Sequence, residues 1–489
     1  MKKPIEYSLI FILLIPLLFI NIRDSHDWGD DFALYLQQAQ NLIDGVSQNQ
    51  SDVVFNDAHF IGPKAYPVGF PLILAPILKV FGYNIEVLNI YMSVFLLLGC
   101  FIGYLFLRRK FSLLTSIVTT LIIAYNPVML SLKTEVLSDL PFLFISMLSL
   151  YLITSKTNVY KHVFIGICIA LAIHIRSVGY LLLITYVISI IFQNRSFTQN
   201  KMKPILFGTV SFSVLFLILK FGFPCDTNYP FPLETDNFWN NLNAHLTYNL
   251  DNLFVFFKKF NSSPFNYSGL LAGCALITFS VIGIFQAWRV NKKDLINIYT
   301  LLYILTILTL KFGDAGFRFI IPILFFLFSY AASGLKLVAE GIQLQRKWMP
   351  LIFGAVVFVS YQDDLNMIFK TAKETNEGPE KPDIQKLFTY IQTNLKETDV
   401  IEFEKPRVIA YYTKCKSVAI LPVQPAESIR KDIEKFKINY ILVHYILTDH
   451  PIRNYVADPA NQCTSVYKLN DVELFKVNEF IGDLVKCNR

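Results

Sequence analysis

Two acidic residues side by side, Asp30 and Asp31, close the run Asp24-Ser-His-Asp-Trp-Gly-Asp-Asp just after the first apolar stretch of the chain. A carboxylate held close to a membrane surface can take a proton from a hydroxyl or help to hold a cation, so the pair is a candidate general base or metal site. It suits as well an ordinary solvated acidic loop, or the cap of the helix that follows. Tyr35 stands four residues after Asp31 and shares its helical face. Glu135 lies in Lys133-Thr-Glu-Val-Leu-Ser-Asp139-Leu-Pro141, between two apolar runs. Ser138 and Asp139 read as the start of the next helix, with Pro141 in its first turn. Glu135 has no helix end to cap and stays a site candidate.

Three cations complete the set. Arg176 interrupts an apolar run at Ile173-His-Ile-Arg-Ser-Val-Gly179. An arginine within a membrane is costly and functional by default, unless it snorkels from a helix end to the interface. Arg318 lies in Phe317-Arg-Phe-Ile-Ile-Pro322, and Lys64 in Gly62-Pro-Lys-Ala-Tyr66. Arg and Lys are the usual partners of phosphate groups.

These residues need elements that hold them at one level. Hydrophobic residues make up 54% of the 489 and charged residues only 17%, against about 25% in an ordinary globular domain. The mean hydropathy is +0.45. The charge deficit is gathered into apolar runs of about 15–23 residues, the length that crosses roughly 30 Å of hydrocarbon. We read about eleven spans, near 5–22, 87–107, 113–131, 139–155, 161–176, 178–193, 204–223, 268–289, 294–311, 318–338 and 348–361. The first resembles a signal peptide but has no small-x-small cleavage site before Arg23, and reads as an uncleaved span.

The net charge of +7 is not a nucleic-acid footprint, because the basic residues fall on alternate connections. Arg108-Arg109-Lys110, Lys156/Lys161, Arg195/Lys201/Lys203, Arg289/Lys292/Lys293 and Arg346/Lys347 mark cytoplasmic loops by the positive-inside rule, which puts the N-terminus in the cytoplasm. The acidic loops and a C-terminal tail then face outwards. The apolar segment 67–81 carries Pro67, Pro71 and Pro76 and reads as re-entrant or interfacial.

We divide the chain into a membrane part, 1–361, with its long outer loop 23–86, and an outside-facing tail, 362–489. In the tail, DVIEFE, SVAILP and INYILVHY read as strands, with helices at 406–414 and Ala426 to Phe436 between them. SVYKLNDVELFKV reads as a hairpin around Asn470-Asp471. That order predicts a small α/β domain with a parallel sheet. Cys100, Cys168 and Cys274 read as buried small hydrophobes; Cys225, Cys415, Cys463 and Cys487 sit in polar segments where disulfides depend on the compartment.

In order, Gly29-Asp-Asp-Phe-Ala-Leu-Tyr35, Tyr66-Pro-Val-Gly-Phe-Pro, Thr134-Glu-x3-Asp139-x-Pro141 and Arg318-Phe-Ile-Ile-Pro322 resemble the motifs of the GT-C superfamily of polytopic glycosyltransferases. The likeness is to the bacterial branch of protein mannosyltransferases, aminoarabinose transferases and rhizobial galacturonosyltransferases, and covers roughly 5–340. Val68 departs from the family, where a second proline is common. The resemblance implies a mainly α, polytopic bundle that uses a polyprenyl-phosphate-linked sugar donor, with a glycan, lipid or protein acceptor. It maps Asp31 to the catalytic carboxylate, with Asp30 the other candidate. Lys64, Arg176 and Arg318 would neutralise the donor phosphate; Glu135, Asp139, Tyr35 and Tyr66 would orient the acceptor or a ligand. A divalent cation, on Asp31 and Glu135, is used in some branches. The location implied is a bacterial inner membrane with the tail in the periplasm. The rival reading is a transporter or flippase, against which stands the gathering of polar residues in outer loops, with no internal repeat.

Overall fold

The computed structural model describes the chain except residues 1–2, 60, 156–157, 194–198, 228–237, 258–266, 310–315, 342–348, 371–376, 422 and 479–489. The first apolar run forms α1 (Lys3–Leu14) and tightens into a 3-10 turn at Ile15–Leu18, at Pro16. α2 (Asp31–Asp44) and α3 (Gly69–Phe81) lie in the long first loop. α4 (Ile85–Leu107), α5 (Leu113–Ala124) and α6 (Pro127–Leu132) are each opened by a side chain that accepts a backbone N–H: Asn84, Ser112 and Asn126. α7 (Asp139–Ile153), α8 (Val159–Ile175) and α9 (Tyr180–Gln193) follow. Then come α10 (Gln199–Gly222), α11 (Phe238–Val255), α12 (Tyr267–Val290) and α13 (Leu295–Thr309). α14 (Ile321–Gly341), α15 (Met349–Ser360) and α16 (Gln362–Lys370) complete the helical part.

Among the described residues, four helices are long and apolar enough to cross a membrane, or five if α15 and α16, bent by 52°, count as one span; seven more are apolar but shorter. Helix length alone therefore does not support all eleven expected spans. The runs are cut where local chemistry ends a helix: Asn126 precedes Pro127, which disfavours the α region, and Arg176 is extended at φ −149°. The apolar window of α10 is only 11% buried, whereas that of α14 is 56% buried. α10 thus turns its apolar surface outwards to lipid, and α14 packs inside the bundle. Cys274, on α12, is exposed on such an outward face rather than buried as the sequence suggested. Cys225, Cys415 and Cys463 are free thiols, and Cys487 lies outside the described residues.

The tail is the expected α/β domain. It runs α17 (Pro382–Asn394), β1 (Val400–Glu402), α18 (Pro406–Thr413), β2 (Lys416–Val418), α19 (Ala426–Phe436), β3 (Ile438–His444), α20 (His450–Ala457), β4 (Cys463–Leu469) and β5 (Val472–Val477). The sheet order is β2-β1-β3-β5-β4. β1 pairs in parallel with both neighbours, and the β4–β5 hairpin adds antiparallel strands. Asn470 takes φ +47° at its turn. α17 and α20 were not anticipated.

Several contacts join this domain to the membrane part, a strand pairing and a shared carboxylate among them. The first loop extends the sheet at the edge of β2: Val54 N–H donates to Ser417 O at 2.7 Å, and Ser417 N–H to Asp52 O at 2.9 Å. Glu380 then receives Ser25 Oγ and His26 N–H, each at 2.8 Å, on one oxygen. Its other oxygen receives the phenols of Tyr83 and Tyr412. One apolar core runs through both parts, and a second cluster, which includes Val418, Ile441 and Val443, lies within the tail.

Candidate active site

α2 presents Asp31, Tyr35 and Gln38 at i, i+4 and i+7, on one face. The Gln38 amide clamps Tyr66 from both sides, accepting from Tyr66 N–H and donating to Tyr66 O, each at 2.9 Å. The Tyr35 ring stacks on Tyr66 at 4.4 Å, and its hydroxyl donates to Ser138 Oγ at 3.0 Å. So fixed, Tyr66 donates its hydroxyl to Asp31 Oδ1 at 2.5 Å.

Arg318 leaves a 3-10 turn at Gly316–Phe319 and bridges two acids. Its Nη1 donates to Asp31 Oδ2 at 3.1 Å, while Nε and Nη2 donate to Asp139 Oδ2 at 3.0 and 2.8 Å. Arg176, at the end of α8, donates to Asp139 Oδ1 at 2.5 Å. Arg176 therefore turns to an acid rather than out to solvent, and Asp139 is more than a helix start. Asp30 occupies the N-cap position of α2 but makes no capping bond. Its carboxylate turns instead to Arg407, the first residue of this cluster to come from the tail. Arg407 N–H donates to Asp30 Oδ1 at 3.1 Å, and Nε lies 3.4 Å from Asp30 Oδ2. Arg407 Nη1 reaches Asp31 Oδ1 and the Tyr66 hydroxyl, both at 3.4 Å.

Three carboxylates thus face three guanidiniums. A buried ion costs several kcal/mol unless it is paired and hydrogen-bonded, and this chain of pairs offsets that cost. The three acids differ in access: the Asp31 side chain is 33% exposed, Asp30 15% and Asp139 1%. Burial raises the Asp30 carboxyl to about 6, against the pull of Arg407. Burial acts on Asp31 too, but Arg318, Arg407 and the Tyr66 hydroxyl outweigh it and hold the carboxyl below its usual range.

The remaining candidates lie off this chain. Glu135 is half-buried beside His26, whose Nε2 accepts from Val136 N–H at 3.0 Å. Lys64 is exposed, with its ammonium 5.9 Å from the centre of the Phe55 ring. Both oxygens of Asp31 are already engaged by guanidiniums and a phenol, and the described residues hold no group of three His, Cys, Asp or Glu side chains that suits a metal. The donor set does not fit a divalent ion on Asp31 and Glu135. Arg407 escaped the sequence reading. Its one signal is Lys405-Pro406-Arg407 directly after a strand, a proline at a helix start that puts the next residue at the carboxyl edge of a parallel sheet.

Residues 65–219 match the family of dolichyl-phosphate-mannose-protein mannosyltransferases. Among solved structures, the chain is similar to ArnT from Cupriavidus metallidurans in its apo state, with a TM-score of 0.58 and 11% identity over 98% of this chain and 99% of that one. The same protein bound to undecaprenyl phosphate gives a TM-score of 0.55 at 12% identity, covering 96% of this chain and 98% of that one. The chain shares the GT-C fold of these structures. The GT-C likeness extends to the oligosaccharyltransferase of Archaeoglobus fulgidus, with a TM-score of 0.54 and 12% identity over 89% of this chain and 67% of that one. No curated protein sequence matches the chain.

Proposed function

We propose that this protein is a membrane glycosyltransferase that moves a sugar from a polyprenyl-phosphate-linked donor to an acceptor hydroxyl on the outer face of the membrane. The observation that carries the reading is the 33% exposure of Asp31, the most accessible acid in an otherwise sealed network of acids and arginines. The GT-C fold supports it, as do a similar structure that holds undecaprenyl phosphate and another that holds dolichol phosphate.

Asp31 is the general base. The acceptor hydroxyl gives its proton to the Asp31 carboxylate as its oxygen bonds to the anomeric carbon. The bond from that carbon to the phosphate oxygen breaks, and its electron pair leaves with the lipid phosphate. Attack opposite the leaving group inverts the anomeric centre. A phosphate needs little acid help to leave but does need its charge neutralised. Arg318 and Arg176 supply fixed positive charge, and Lys64, exposed two residues before Tyr66, has the freedom to meet the phosphate. Asp139 holds the two arginines in place, and Tyr35 and Tyr66 set the angle of Asp31. The acceptor is a glycan, a lipid or a protein hydroxyl. The basic alternate loops support an N-terminus in the cytoplasm, and the family resemblance suggests a bacterial inner membrane.

The test is consumption of a panel of radiolabelled polyprenyl-phosphate sugars by the purified protein in lipid, as wild type, Asp30→Asn and Asp31→Asn. Loss of turnover in Asp31→Asn, with donor binding kept, is the expected result. Full activity in Asp31→Asn would remove the assigned base. A wild type that binds a donor without consuming it would point to a transporter.

A further inference from the structure

We propose that Arg407, carried by the C-terminal domain, is a positioning residue of this active site, which is complete only when that domain is seated. The inference rests on the transferase reading above. Arg407 is 2% exposed although it belongs to the part outside the bundle. Its polar groups make five contacts with four residues: Asp30 from the backbone N–H and Nε, Asp31 and the Tyr66 hydroxyl from Nη1, and Pro63 O from Nη2 at 2.9 Å. The first loop is cut away to admit it. Gly62 has φ +116°, and a Cβ there would stand 2.7 Å from Arg407 Nη2.

Its place in the tail explains why a carboxylate is held there. The chain leaves β1 for β2 on one side, then crosses back to β3 on the other, so the carboxyl end of β1 is the point where such domains hold ligands. α18 begins there with Pro406, and Arg407 next to it donates its backbone N–H to Asp30. The anion that occupies this place is Asp30 of the membrane part. Docking alone does not require the arginine, because the Glu380 contacts and the strand pairing at Ser417 also join the two parts. An arginine that only docked would have no need to touch Asp31 and Tyr66.

Its role is to fix the Asp31 carboxylate against Tyr66 and to share its charge between two neighbouring acids. The groups that face Asp31 are Arg318 from the late 3-10 turn, Arg407 from α18, Tyr66 from the first loop, Asp139 from α7 with Arg176 behind it, and the adjacent Asp30 with Lys405 near it. Loss of Arg407 removes one cation from that set. Asp31 then takes up a proton more readily, and the acid limb of turnover moves to higher pH, because only the ionised carboxylate accepts the hydroxyl proton.

The experiment compares full-length wild type, Arg407→Ala, Arg407→Lys and Asp31→Asn in lipid, each checked by thermal melting and size-exclusion chromatography. Donor turnover is measured across pH, with and without added guanidinium. We expect a folded Arg407→Ala protein with about 100-fold lower turnover, an acid limb at higher pH, partial rescue by guanidinium, and an intermediate Arg407→Lys. An unchanged rate and acid limb in Arg407→Ala, beside an inactive Asp31→Asn, would overturn the inference and leave the transferase reading standing. A rate that falls only in step with melting temperature, with the acid limb unmoved and no rescue, would reduce Arg407 to a docking contact. A wild type that consumes no donor would remove the reading and the inference together.

Discussion

Asp31 can be approached from outside, while its partners are held from behind. Replacing it with Asn keeps the shape but removes the proton acceptor, so turnover should fall by roughly 10²–10⁴-fold with donor affinity nearly unchanged. Rates measured beside a donor-binding isotherm separate these effects. Asp30 gives a second test. It is protonated below about 6 and charged above. As it gains a proton it stops sharing Arg407, whose charge then bears on Asp31 alone and weakens the base. Wild-type turnover should drop as pH falls through that value, and Asp30→Asn should show no inflection there; an identical inflection in the variant would exclude Asp30 as its source. Much of this cluster was legible in the sequence. Asp31, Asp139, Arg176 and Arg318 are charges beside apolar runs, and such charges have few reasons to be there. Arg407 was not legible, because one arginine in a charged, soluble-looking domain carries no mark of burial. Lys64 lies over the Phe55 ring and Glu135 beside His26, although the sequence grouped both with these charges.

At the scale of elements, α3 and α8 meet at a glycine. A Cβ on Gly69 would lie 2.6 Å from the His174 backbone carbon, two residues before Arg176. Gly69→Val should push the helices apart, cost about 1–3 kcal/mol, lower the melting temperature and displace Arg176. Gly62→Ala works by another route: an alanine at φ +116° is strained and its methyl intrudes on Arg407, so it should lower melting and also move the acid limb of turnover to higher pH. Reading the acid limb beside the melting temperature separates site geometry from packing in the two variants. The strands and two helices of the tail were read correctly because their periodicity is local. The span count was less secure. Hydropathy does not register that Pro16, Asn126-Pro127 and Arg176 end their helices early.

Across the whole molecule, Glu380 ties the tail to the first loop and to the segment before α4. Its removal leaves Ser25, His26 N–H, Tyr83 and Tyr412 without their shared acceptor. Glu380→Ala should make the tail more sensitive to limited proteolysis and lower turnover, whereas Glu380→Gln, which keeps acceptor oxygen, should do so less. Tail cleavage at the wild-type rate would show that other contacts carry the docking.

The bridge between Arg407 and Asp31 spans 376 residues of chain. A ribosome adds about 5–20 residues each second. On the proposed role of Arg407, the nascent protein therefore spends on the order of tens of seconds in the membrane with its carboxylates made but not yet clamped. It would acquire full competence only after the domain that carries Arg407 has emerged, crossed and folded. Any product abandoned before residue 407 would be a bundle without its clamp, and so would spend little of the cell's activated sugar.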